Sequence, residues 1–143
     1  MAFEISVFLK NKITHLEEIT STLKQGSINI RSLMLSNINH GWSMLNLLVD
    51  QPEEAYELLT TAGNSVVMRE VIALEMKDET GGLDELLIRL SRAGIHIDSA
   101  YSRLVGDKKT AVLLIEVPDV LEATKQLNRN NIRILEDAVV YGK

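Results

Sequence analysis

The sequence predicts an α+β protein made of two β-α-β-β-α-β units, and three observations carry that prediction. Residues 5–30 align without a gap against residues 72–97 at a constant shift of sixty-seven positions. Both copies are apolar at each matched core position: Ile5/Ile72, Val7/Leu74, Leu9/Met76, Leu16/Leu83, Ile19/Leu86, Leu23/Leu90, Ile28/Ile95 and Ile30/Ile97. Within each copy, short β-branched runs alternate with stretches of helical apolar spacing, and turn residues separate the two.

In the first copy, residues 3–9 are short and rich in β-branched and aromatic side chains, which predicts a strand. Leu16, Ile19 and Leu23 recur at helical spacing, with Thr14 and Glu17 placed as a capping box and Gly26 as the stop. Residues 28–38 read as a second strand, Asn39-His40-Gly41 as a turn and residues 44–49 as a third strand, together a hairpin. Pro52, Glu53 and Glu54 suit a helix N-terminus, followed on one face by Ala55, Leu58, Leu59 and Ala62. Gly63 ends that helix, and residues 66–68 begin a fourth strand.

The second copy repeats the order: strand 71–76, helix 83–92, strand 95–104, turn at Gly106-Asp107-Lys108-Lys109, strand 111–117, helix 119–129 and strand 132–135. Beyond the hairpin the shift becomes sixty-eight, which pairs Ala55 with Ala123 and Leu59 with Leu127. Each unit is the split ferredoxin-like arrangement, an antiparallel sheet with both helices on one face. The expected domains are 1–69 and 70–143. No Pro-, Gly- or Ser-rich spacer separates them, so the units are expected to pack side by side.

Composition narrows the function. The chain is 45% hydrophobic and 24% charged, within the globular range. Its formal charge of −5, with Lys and Arg scattered, disfavours a nucleic-acid partner. Aromatic residues at 4% also argue against base stacking on the sheet. The absence of cysteine removes disulfides, thiolate metal sites and thiol nucleophiles. Glu4 interrupts the N-terminal apolar run, no stretch approaches membrane-spanning length, and a cytoplasmic protein without membrane contact is expected.

No catalytic constellation stands out. His15, His40 and His96 lack metal-ligand spacing. His96 and Asp98 share a strand face, but no serine or cysteine elbow accompanies them. No glycine-rich phosphate loop precedes a helix, so neither enzymatic activity nor a cofactor is expected. The candidate binding elements are the loops before the first helix of each copy, Asn11-Lys12-Ile13-Thr14-His15 and Asp78-Glu79-Thr80-Gly81-Gly82. A helix N-terminus offers amides to a carboxylate, and a glycine there admits close backbone approach. Asn11 or Asp78 would accept from an ammonium group. Such a set suits the zwitterionic head of an amino acid, although plain capping loops would look similar.

The doubled order, the loop ending D-E-T-G-G-L and the openings G-S-I-N-I and A-G-I-H-I resemble ACT domains, small regulatory modules that bind amino acids. With IRSLMLS, LLVDQPEEAYELL and VVYG, the chain resembles stand-alone tandem ACT proteins over residues 3–141. In many ACT domains the first loop reads N-x-P-G, and the ligand lies between it and an Asn early in the neighbouring domain's second strand. By position, the first copy supplies Asn11, Ile13 and Thr14, lacking both Pro and Gly. The second supplies Asp78, Thr80 and Gly81. The strand Asn is Asn29, with His96 opposite it in the repeat.

If the sheets join edge to edge, the resemblance implies one site from Asp78, Thr80, Gly81, Gly82 and Asn29, and another from Asn11, Ile13, Thr14 and His96. The first is expected to be stronger, because it keeps the glycine and the strand Asn of the pattern, and because in the second the Thr14 hydroxyl would occupy an amide that a ligand carboxylate needs. The implied function is a non-catalytic sensor with a free amino acid as ligand, a homodimer that acts on an unidentified partner enzyme. The alternative is an assembly module, or a regulatory subunit that has lost its ligand.

Overall fold

The computed structural model describes residues 2–10, 12–104 and 110–141. Its elements run β1 (Ala2–Lys10), α1 (Ile13–Gln25), β2 (Ile30–Asn39), β3 (Trp42–Val49), α2 (Pro52–Thr61), β4 (Ser65–Lys77), α3 (Gly82–Arg92), β5 (Ser99–Leu104), β6 (Thr110–Glu116), α4 (Val120–Arg129) and α5 (Asp137–Val140). Two compact units result, Phe3–Arg69 and a second that runs from Glu70 and takes in Ala2. The chain leaves one and enters the other inside β4. Residues 66–68 and 71–76, read from sequence as separate strands, are therefore one continuous strand. No residue between them is a Gly or Pro that would break the extended backbone.

In the first unit the strand order is β2-β3-β1-β4. Ile5, Val7 and Leu9 of β1 oppose Leu47, Leu45 and Ser43 of β3 in antiparallel register. Alternate residues share a face, so these apolar positions form one surface. Ile19 and Leu23 of α1 and Ala55 and Leu59 of α2 close over it as a single core. In the second unit the order is β4-β6-β5. Ile72 and Leu74 oppose Ile115 and Leu113, covered by Leu86 and Leu90 of α3 and Ala123 and Leu127 of α4. Helices on one face of an antiparallel sheet are the ferredoxin-like arrangement that the sequence predicts.

All four long helices end the same way. In α1 the Ile28 amide donates to the Leu23 carbonyl at 2.9 Å and the Ser27 amide to Lys24 at 3.0 Å. Asn64 and Gly63 repeat the pair on Leu59 and Thr60, Ile95 and Gly94 on Leu90 and Ser91, and Ile132 and Asn131 on Leu127 and Asn128. This is the Schellman closure, which needs one residue at positive φ. Gly63 and Gly94 supply it freely, whereas Ser27 (φ 57°) and Asn131 (φ 58°) adopt it with a side chain. Gly26, read from sequence as the stop, is the C-cap at φ −83°, and the left-handed residue is its neighbour.

Several expectations are corrected. The capping box does not form: α1 starts at Ile13 with Lys12 as N-cap and no side-chain cap, which puts Thr14 inside the first turn. α3 starts at Gly82, so Leu83 lies in its first turn and is 44% exposed, whereas Leu16 sits deeper in α1 and packs on the core. Strand 95–104 is shortened to Ser99–Leu104, because residues 94 and 95 are spent on closing α3. Expected strand 132–135 contracts to one bridge, Leu74 to Ile134, plus a Leu135 amide bond to the Ala73 carbonyl at 2.8 Å. The chain then turns into α5, whose Val140 carbonyl accepts from Arg103 at 2.8 Å. The expected turn at Gly106-Asp107-Lys108-Lys109 lies outside the described residues. Among those described, no helix is long and apolar enough to cross a membrane.

Candidate functional site

The first-unit loop leaves β1 at Lys10 and enters α1 at Ile13. His15 fastens it. Its Nδ1 accepts the Lys10 amide at 3.1 Å, and a backbone N–H can only donate, so Nδ1 carries no proton. Nε2 therefore bears the hydrogen and donates to Asn64 Oδ1 at 3.2 Å, while Asn64 Nδ2 donates to the Leu59 carbonyl at 3.0 Å. Asn64 occupies the position after the α2 closure where the other three helices place a buried or half-buried isoleucine. His15 is thus a structural tie.

Beneath this loop lies a cavity of about 190 Å³. Leu9, Ile13, Leu16 and Leu35 supply apolar walls, and Lys10 and Lys12 border it. Ser43 also lines it; this residue is 1% exposed, and its hydroxyl has no hydrogen-bond partner among the described residues. α1 carries no acidic residue in its first turn. Of the residues predicted here, Ile13 lines the cavity, Thr14 is exposed in the first turn and His96 belongs to the second unit. Asn11 lies outside the described residues.

In the second unit Asp78, Glu79 and Thr80 form an exposed turn after β4. Gly81 caps α3 in the left-handed conformation, φ 83°, with open space where a Cβ would project. Gly82 is buried, and a Cβ there would run into the Lys77 carbonyl oxygen. The two glycines therefore answer different demands, one of backbone angle and one of space. The Gly82 amide donates to Glu79 and that of Glu85 to Gly81, at 3.0 and 2.9 Å. α3 carries Asp84 and Glu85 in its first turn, which oppose an incoming anion.

A second cavity, of about 280 Å³, lies between α3, the end of β4 and residues 131–133. Gly82 lines it, together with Glu75, Lys77, Glu85, Arg89 and Arg133. Arg89 is committed to the Asn131 carbonyl at 2.9 Å, and Arg133 approaches Glu75 at 3.9 Å.

Asn29 is exposed just before β2, and its backbone is clasped by Asp50: its amide donates to Asp50 Oδ1 at 3.0 Å and its carbonyl accepts the Asp50 amide at 3.1 Å. His96 is likewise outside the strand, with its Nε2 3.5 Å from Asp98 Oδ1 and both side chains exposed. Among the described residues, no group of three or more His, Asp and Glu side chains is gathered to hold a metal ion.

Sequence reasoning missed Ser43, which it left between the turn and the third strand. The available signal was alternation: Ser43 is in phase with Leu45, Leu47 and Val49, a hydroxyl in an otherwise apolar row.

Comparison with known proteins fits this architecture. No curated protein matches the chain. Among solved structures, protein BT0572 from Bacteroides thetaiotaomicron superposes with a TM-score of 0.87 at 25% identity, covering 99% of this chain and 96% of that one. The ligand-free regulatory subunit of aspartate kinase from Thermus thermophilus gives 0.62 at 11% identity, over 90% and 91%. Its counterpart from Thermus flavus gives 0.54 at 10%, over 90% and 92%. The profile of the ACT domain pair matches residues 1–140, and the chain belongs to that family.

Proposed function

We propose that this ACT domain pair is a non-catalytic regulatory protein whose ligand is a free amino acid, held at the loops that open α1 and α3. The observation that carries this reading is that both helices begin without a side-chain cap. α2 also lacks a side-chain cap, but Pro52 removes one of its donors, whereas in α4 Asp119 accepts the Glu122 amide at 3.1 Å. An uncapped helix start offers amides and a positive dipole end to a carboxylate, unopposed at α1, which has no first-turn acid, and against Asp84 and Glu85 at α3. Two of the fold's relatives are regulatory subunits of aspartate kinase, which makes an enzyme of amino-acid metabolism the proposed partner.

The residues proposed to meet a ligand remain Asp78, Thr80, Gly81 and Gly82, Asn29, Asn11, Ile13 and Thr14, and His96. Thr14 does not cap α1, which removes one ground for ranking the second loop above the first; its kept glycine and the strand Asn remain the other. A thermal-shift screen against the twenty amino acids tests the function, with saturable stabilisation by one or a few expected. A flat screen at about 10 mM ligand, roughly ten times a weak millimolar dissociation constant, sinks it. Calorimetry on Asn29→Ala and Thr14→Gly then assigns the loops.

The second reading, an assembly module, is favoured by β2. This strand ends the order of its sheet, runs ten residues and exposes Leu33, Met34, Leu35 and Ile38. An unpaired edge of that kind is a template for another strand, and a homodimer through β2 is compatible with either reading.

A further inference from the structure

We infer that the first-unit cavity selects a ligand bearing a side-chain hydroxyl, and that Ser43 is the selecting residue. This rests on the amino-acid reading above and adds the ligand's class. A buried hydroxyl without a partner opposes folding, since it gives up water and receives nothing in return. Ser43 is in that condition, and the surrounding side chains of Leu9, Leu16 and Leu35 carry no polar atom to relieve it.

The repeat shows that the fold does not require it. Ser43 opposes Leu9 in the ladder of the first unit, and the same ladder position in the second pairs Met76 with Ala111. One scaffold holds alanine there and the other a serine, so the hydroxyl answers to something other than sheet geometry.

The remaining features orient the ligand. Lys10 and Lys12 border the cavity, and α1 presents its N-terminus there without a first-turn acid. A carboxylate is favoured at that end. The side chain then runs along the apolar walls toward Ser43, whose hydroxyl is covered and can donate to or accept from a ligand hydroxyl once the surrounding side chains part. An apolar cavity of about 150 Å³ accommodates benzene, so about 190 Å³ admits a side chain from serine to tyrosine.

The test is calorimetry on the full chain, wild type and Ser43→Ala, with three pairs of amino acids that differ by one hydroxyl: threonine and valine, tyrosine and phenylalanine, serine and alanine. In the pair that binds tightest, the hydroxyl member is expected to bind wild type about tenfold more tightly, the worth of one hydrogen bond. In Ser43→Ala the preference is expected to fall to about twofold or less, and the ligand-free variant to melt at the same temperature or higher.

A hydroxyl preference that survives Ser43→Ala overturns the inference. A drop of several degrees in the melting point of the ligand-free variant also overturns it, because the hydroxyl would then be making a structural bond. Amino-acid binding without any hydroxyl preference overturns it and leaves the regulatory reading standing. Absence of binding by all twenty amino acids removes both.

Discussion

Substitutions at single residues of special backbone angle or close approach separate conformational from steric demands. Ser27 closes α1 at φ 57°, where its Cβ crowds the backbone. Ser27→Gly should raise stability by about 0.5–1 kcal/mol, and urea denaturation with an unchanged m-value measures it. The glycine pair before α3 works in the opposite sense. Gly81→Ala meets no neighbour and suffers only its backbone angle, a loss of about 1–2 kcal/mol. Gly82→Ala drives a methyl into the Lys77 carbonyl and should cost about 3 kcal/mol or more, since a backbone atom must shift. Comparing the two by thermal denaturation tests the distinction, and equal losses would refute it. The sequence revealed both glycines but not their different reasons, because close approach of Lys77 depends on how β4 delivers its end to α3.

Elements were legible where a periodic pattern is anchored at both ends by the chain itself. α2 follows this rule: Pro52 and two acids start it, and Gly63 closes it. The start of α1 was misread because Thr14 and Glu17 have the spacing of a capping box. In the structure, Lys12 is extended at φ −131°, and His15 is drawn back to Lys10 and Asn64, so helical geometry begins earlier. Expected strand 132–135 was misread because apolar alternation over so few residues does not distinguish a strand from a segment that touches the sheet once.

The β2 edge yields a prediction at this scale. Met34→Lys places a charge on the exposed strand without entering the core, where 45% of Met34 is already accessible. If the protein is a dimer through β2, sedimentation should show Met34→Lys as a monomer with a melting point lowered by no more than the lost association explains. A mass unchanged from wild type would place the interface elsewhere.

For the whole molecule, ligand binding and stability are linked. A ligand at a hundred times its dissociation constant adds about 2.7 kcal/mol when it binds only the folded state. For a chain of 143 residues this corresponds to a rise in melting temperature of about 5–10 °C. A rise that continues without saturating would indicate a solvent effect and not a site.

The sequence alone determined the doubled unit, the order of most elements and the two loops of interest, because apolar periodicity, proline and glycine act through near neighbours in the chain. Ile5, Val7, Leu9, Ile72 and Leu74, matched by the repeat, are all buried. Only the tertiary structure decided that α1 starts uncapped, that β4 runs unbroken from one unit into the next, and that Ser43, beside the cavity it shares with Leu16 and Leu35, is buried without a partner among the described residues. Those outcomes depend on strand register and on which distant atoms arrive beside a hydroxyl or an amide. Position along the chain does not encode them locally, since residues 9, 16, 35 and 43 become neighbours only when the sheet and its helix close on one another.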